Sequence, residues 1–253
     1  MPAVILARSV LLEARRGGLP WLALAAIVLA FVLAAFLSQV ALTESLALQA
    51  ALMAALLRAC AVFLLASQVV SGTLREIEDK GLELMLSLPL SRTTHYLGRL
   101  AGYALCGVAL ALVFSAALLF WVPPLPAALW GLSLAFEVAL IAAAALFFAM
   151  TLPNLVAAIG ATAGLYLLAR AMPAIQALAG VPLDDQSWAG WLARRAVDAI
   201  AFLLPRVHAA TRTEWLVYEV PSPGAYAAAL GGLALYTVVL TAAGLYDFHR
   251  RSV

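Results

Sequence analysis

Six apolar runs, each near the length that crosses a bilayer, leave most of this chain's few charges to the intervals between them, and that spacing limits what it can fold into. The runs extend from about Trp21 to Gln39, Leu46 to Val70, Tyr96 to Val122, Ala127 to Leu152, Leu155 to Leu178 and Ala225 to Tyr246. About 20 apolar residues in a helix cover the hydrocarbon thickness of a membrane. Hydrophobic residues make up 66% of the chain and charged ones 11%, against about 25% charged in ordinary soluble domains. A soluble globular domain is excluded. The expected fold is all-α, a polytopic membrane protein with six transmembrane helices in a single transmembrane domain over residues 1–253. The net charge of +2 is too small to argue for nucleic acid.

One interval is far more charged than the others. Ser71 to Arg99 holds Arg75, Glu76, Glu78, Asp79, Lys80, Glu83, Arg92 and Arg99 between the second and third runs. Such a segment belongs in water, and its basic residues bias it to the cytoplasmic side, so residues 71–95 are read as a cytoplasmic segment. Within it, Leu82, Met85 and Leu86 fall at i, i+3 and i+4 and share one face of a short helix. Pro89 ends that helix, because the residue before a proline avoids the α region, and Ser91 is placed to cap the next one. The apolar face so formed wants a partner or a membrane surface.

In chain order, residues 3–16 put Val4, Leu6, Ala7, Val10, Leu11 and Ala14 on one helical face and Arg8, Ser9, Glu13, Arg15 and Arg16 on the other, with Ile5 and Leu12 intruding. This predicts an interfacial helix along the cytoplasmic surface, and no cleavable signal peptide is expected. Gly17, Gly18 and Pro20 break it. Pro123, Pro124 and Pro126 make an outer turn flanked by Trp121 and Trp130 at headgroup level. Pro153 and Asn154 make a minimal inner turn, and Pro173 loosens the outer end of the fifth span. Residues 179–223 form an outer loop with short helices, of which Trp188 to Leu204 is amphipathic. Six crossings put the amino terminus, the 71–95 segment and the basic carboxyl terminus inside together.

Arg58, Glu137 and Arg170 lie within spans, roughly 13 to 18 Å below the outer ends at 1.5 Å per residue. Each costs about 2.5 to 3.5 kcal/mol at a span centre, so pairing of Glu137 with one or both arginines is expected, as a structural ion pair or on a substrate path. Cys60 and Cys106 sit inside apolar runs and are read as packing residues. His95, His208 and His249 fall near or outside the membrane surfaces, which argues against intramembrane haem or a histidine-dependent protease. Tyr103 and Tyr166 are read as anchors or packing. Gly98 with Gly102, and Gly160 with Gly164, have the small-xxx-small spacing of close helix packing.

The stretch Glu83, Leu84, Met85, Leu86, Ser87, Leu88, Pro89, Leu90, Ser91 and Arg92 resembles a segment of type-2 ABC exporter permeases, with Gly81-Leu82 where those proteins carry Gly-Thr. The amphipathic start, six spans and long last outer loop are similar to that family across the chain. The resemblance implies that the short helix is a coupling helix, with Gly81, Leu82, Glu83, Met85, Leu86, Ser87, Pro89 and Arg92 contacting a separate ABC ATP-binding subunit. Glu83 and Arg92 would fix it by polar contacts while Leu82, Met85 and Leu86 fill a groove. It further implies a second permease copy or related permease, and a multi-pass place in the bacterial cytoplasmic (inner) membrane with both termini cytoplasmic. ATP and Mg would be bound in the partner, with no cofactor and no catalysis in this chain. Independently, a phosphate-cradling loop needs a lysine followed by Ser or Thr, and the only lysine, Lys80, precedes Gly81. The alternatives are an ion-gradient-driven secondary transporter using Arg58, Glu137 and Arg170, and a membrane anchor for another complex.

Overall fold

The computed structural model describes residues 2–40, 45–79, 91–152, 154–179 and 188–250. Among the described residues every regular element is a helix, in the order α1 (Pro2–Arg16), α2 (Leu19–Val40), α3 (Ser45–Glu78), α4 (Arg92–Leu118), α5 (Pro124–Thr151), α6 (Leu155–Ala179), α7 (Trp188–Leu203), α8 (Val207–Ala210), α9 (Glu214–Val217) and α10 (Pro223–Arg250). Six of these, α2 to α6 and α10, are long and apolar enough to cross a membrane. The chain is therefore an all-α, multi-pass membrane protein.

Local chemistry sets several of the helix ends. Gly18 adopts φ +83° after α1, the left-handed turn that glycine makes without a Cβ penalty. Ser91 caps α4 by accepting from the Thr94 amide at 3.2 Å, and Asn154 Oδ1 accepts from the Ala157 amide at 2.8 Å at the start of α6, each satisfying a donor that the first helical turn leaves over. Pro124 opens α5, where its missing N–H costs nothing. The helix of α6 continues through Pro173 to Ala179.

The centre of the bundle is α5, which touches α3, α4, α6, α9 and α10. Leu140, Ile141, Ala142, Ala143, Ala144 and Ala145 are all buried along it. The four alanines let neighbouring backbones approach closely, which is how helices gain contact where lipid offers no hydrophobic drive. At the periphery, α2 and α10 leave Val28, Val32, Phe36, Leu235 and Val238 exposed, the apolar exterior that a bilayer solvates.

Four sequence expectations change. The second span does not end at Val70: α3 continues to Glu78, with Thr73 and Leu74 buried. No proline interrupts Ser71 to Glu78, and Glu76 finds an ionic partner on α4, so the helix carries on where hydropathy stops. The helix over residues 3–16 forms, but its Leu6, Ala7, Val10 and Ala14 edge is buried against α4 rather than facing lipid, while Val4, Ile5 and Leu12 point outward. Trp130 is buried instead of standing at a headgroup surface. His95 is buried as well, 3% exposed, because α1 and α10 close over the start of α4.

The two glycine pairs part ways. A Cβ on Gly98 would lie 3.1 Å from the Leu6 Cβ and 3.2 Å from the Ala3 Cα, and one on Gly102 would lie 2.8 Å from the Val10 Cβ and 3.0 Å from the Ala7 Cα. This pair is the seat of α1. Gly160 and Gly164 meet nothing within 4 Å in the protomer. Replacing Gly102 by Val is therefore expected to lift α1 and lower stability by about 1 to 3 kcal/mol, the usual cost of overpacking. Gly160→Ala should leave the protomer unchanged or up to about 1 kcal/mol more stable, from the lower helix propensity of glycine. Thermal unfolding in detergent with a helix-sensitive probe reads both, and equal shifts for the two variants would contradict the packing.

Candidate functional site

Of the residues that the family resemblance points to, Gly81, Leu82, Glu83, Met85, Leu86, Ser87 and Pro89 lie outside the described residues. The two sides of their segment are described. Arg92 donates from Nη1 to the carbonyl oxygens of Phe248 at 3.3 Å and His249 at 3.4 Å, satisfying carbonyls in the last turn of α10, where a cation is also favoured by the helix dipole. His249 Nε2 lies 3.5 Å from the Thr93 hydroxyl, so the start of α4 and the end of α10 are joined twice.

A polar cluster lies one to two turns into the bundle from there. Glu76 near the end of α3 forms an ion pair with Arg99 on α4, and Arg99 Nη2 donates to the Tyr103 hydroxyl at 2.6 Å. The guanidinium lies 5.4 Å from the Tyr103 ring centre, a cation over an aromatic face. His95 Nε2 is 3.9 Å from the second Glu76 oxygen, and its ring stacks with Phe248 at 6.2 Å. Arg99 is 6% exposed, and its partner belongs to α3, so the pair fixes the two helices between which residues 80–90 run. The sequence offered one signal for it: His95, Arg99 and Tyr103 recur every four residues, on one face of α4.

The second cluster lies deeper in the apolar layer, toward the opposite end. Arg58 of α3 pairs through Nη1 with Glu137 of α5, and its Nη2 donates to Ser133 Oγ at 3.0 Å. The Ser133 hydroxyl in turn donates to the Trp130 carbonyl at 2.8 Å, and the Arg58 guanidinium lies 5.0 Å from the Trp130 ring centre. The Tyr166 hydroxyl of α6 donates to the other Glu137 oxygen at 2.9 Å. Arg170 Nη1 stands 3.9 Å from that same oxygen and donates to Thr211 Oγ1 at 3.1 Å. The structure thus brings together all three charges that the sequence placed within spans. Trp130 and Tyr166, read from the sequence as anchors or packing, join them instead, and so does Ser133, which the sequence reading did not single out although it stands four residues before Glu137, as Tyr166 does before Arg170.

The members are not equivalent. Glu137 is fully buried and Arg58 is 3% exposed, whereas the Arg170 side chain is 36% exposed. Over Arg58, a cavity lined by Trp130, Ser133, Arg212, Trp215 and Tyr226 measures about 10 Å³, the room of about one water molecule. The helices α8 and α9 cover this end, packing on α6 and α10 and on α3 and α5 respectively. What the arrangement does chemically is hold charge: one carboxylate receives two donors, Arg58 and Tyr166, and a second cation, Arg170, at longer range, in surroundings where an unpaired ion is costly. Exchanging Glu137 for Gln leaves Arg58 buried without its counter-ion and is expected to cost about 3 to 5 kcal/mol, seen as lower membrane yield and a lower unfolding temperature. Arg170→Gln, at a half-exposed site, should cost under about 1 kcal/mol. Unchanged yield, stability and activity for Glu137→Gln would remove the pair from any such role.

Among the described residues no group of three or more His, Cys, Asp and Glu is placed to hold a metal ion. A comparison with curated proteins returns no match. A family model described as "ABC-2 family transporter protein" matches residues 37–246, which include both polar clusters and the segment between α3 and α4. With six apolar helices, α5 at their centre, and a match over most of its length, this chain belongs to the ABC-2 family of transporters, as a transmembrane permease subunit.

Proposed function

We propose that this chain is the translocating half of an ATP-driven exporter, moved by a separate ATP-binding subunit that docks on residues 81–92. The observation that carries this reading is the bracing on either side of that segment. Its entry and exit helices are tied by Glu76 and Arg99, and Arg92 ties the exit to the last turn of α10. A force on a short helix between two slack ends would be lost in the loops. Here it would be transmitted at once to α3, α4 and α10, and through Arg58 and Glu137 from α3 to α5.

Other features support the same reading. The single lysine, Lys80, stands before Gly81, so this chain offers no lysine for a phosphate-binding loop, and ATP with its Mg would be held by the partner. The leucines and methionine at 82, 85 and 86, spaced i, i+3 and i+4 in the sequence, would give the greasy face that a groove on that partner accepts. Glu83, Ser87 and Pro89 would set the helix's polar contacts and its end. The basic flanks favour a cytoplasmic place for this side and for both termini; the membrane would be a bacterial inner membrane, and a second permease copy or a related permease would complete the path. The buried charges favour a structural use over ion-coupled transport, since Arg58 and Glu137 already satisfy each other and the cavity beside them is water-sized.

Affinity purification of the tagged chain tests the proposal. An ATP-hydrolysing subunit is expected in stoichiometric amount with the wild type and lost with Leu86→Asp, while the variant's yield and unfolding temperature stay as before. Transport by the purified chain alone, driven by an ion gradient without ATP, would overturn it.

A further inference from the structure

A groove runs between α1, α2 and α4. Its volume is about 690 Å³, within the range of roughly 300 to 1,000 Å³ that small-molecule sites occupy. The walls are apolar, formed by Leu12 of α1, Ala23 and Ile27 of α2 and Leu110 and Val113 of α4. Two cations stand among them, Arg8 and Arg15. Seven residues apart on α1, they point the same way about 10 Å from each other, and both are solvent-exposed. No acid is among the residues that line the groove. The acid of α1, Glu13, reaches toward α3, its Oε1 3.0 Å from where a Cβ on Gly72 would lie. An apolar channel open along a membrane span and topped by two unopposed guanidinium groups is complementary to one kind of molecule, an amphiphile with an anionic head.

We propose that this groove binds an anionic phospholipid, with one acyl chain lying along Ala23, Ile27, Leu110 and Val113 and the phosphate held between Arg8 and Arg15. Guanidinium suits phosphate because its planar donors bond two oxygens at once, and basic residues at a membrane surface draw anionic lipid. The lipid would extend the seat of α1: Gly98 and Gly102 hold that helix from within the bundle, and the bound lipid would hold it from the bilayer side.

Native mass spectrometry of the purified full chain, with any subunit that accompanies it, tests this. The protein is exposed in detergent to an equimolar mixture of phosphatidylglycerol and phosphatidylcholine with identical acyl chains. Wild type is expected to retain phosphatidylglycerol about tenfold over phosphatidylcholine. Arg8→Gln with Arg15→Gln should erase the preference and Arg8→Lys with Arg15→Lys should largely restore it. Ala109→Trp, at an exposed α4 position lining the groove, should lower retention of both lipids. Equal retention of the two lipids by wild type, or an undiminished preference in the double Gln variant, would overturn the proposal. So would an altered oligomeric state in Ala109→Trp with lipid retention unchanged, since the groove would then belong to a second protein copy.

Discussion

A carboxylate and a guanidinium set against each other inside an apolar bundle are the constraint on which this structure rests. Unpaired, the two charges would cost about 5 to 7 kcal/mol on insertion scales, a sum comparable with the whole stability of a domain. Paired, Arg58 and Glu137 specify which face of α3 meets which face of α5, because a rotation of either helix would turn a charge into lipid. Tyr166 extends the requirement to α6, and Thr211, through Arg170, extends it to the chain after α8. Apolar surface alone cannot supply that registry, since leucine is as well solvated by lipid tails as by a neighbouring helix.

The two polar clusters divide the work along the helix axes. The Arg58 cluster locks α3, α5 and α6 in the depth of the bundle, and the Glu76 and Arg99 cluster locks α3 to α4 where the chain leaves and re-enters it. Both use α3, whose 34 residues at 1.5 Å each reach about 50 Å, well past a hydrocarbon layer of about 30 Å. The helix long enough to project from the membrane is thus the same one that carries the buried arginine, so α3 connects the segment at 81–92 in the chain with the Arg58 and Glu137 pair against α5.

Much of this was legible in the sequence, for reasons that differ from element to element. The spans could be read because a bilayer imposes length and composition on any helix that crosses it, and the cap at Ser91 because its chemistry is local. That Arg58, Glu137 and Arg170 would meet followed from their cost when apart. What could not be read depended on partners distant in the chain. Glu76 and Arg99 look like solvated charges until α3 and α4 are set side by side. Trp130 matches the rule for interfacial tryptophan and is instead drawn inward to the face of Arg58. The glycine spacing at 98 and 102 and at 160 and 164 is the same, yet only the first pair is filled within the protomer, because spacing encodes a capacity for close approach and says nothing of which helix will use it.

A double-mutant cycle on Arg58 and Glu137 measures the registry claim most directly, with Arg58→Met, Glu137→Leu and the combination compared by unfolding in detergent. If the pair is what fixes α3 on α5, each single variant loses much more stability than the combination, because each strands one buried charge, and the coupling reaches about 2 kcal/mol or more. Losses that simply add, with the double variant the least stable of the three, would contradict the account.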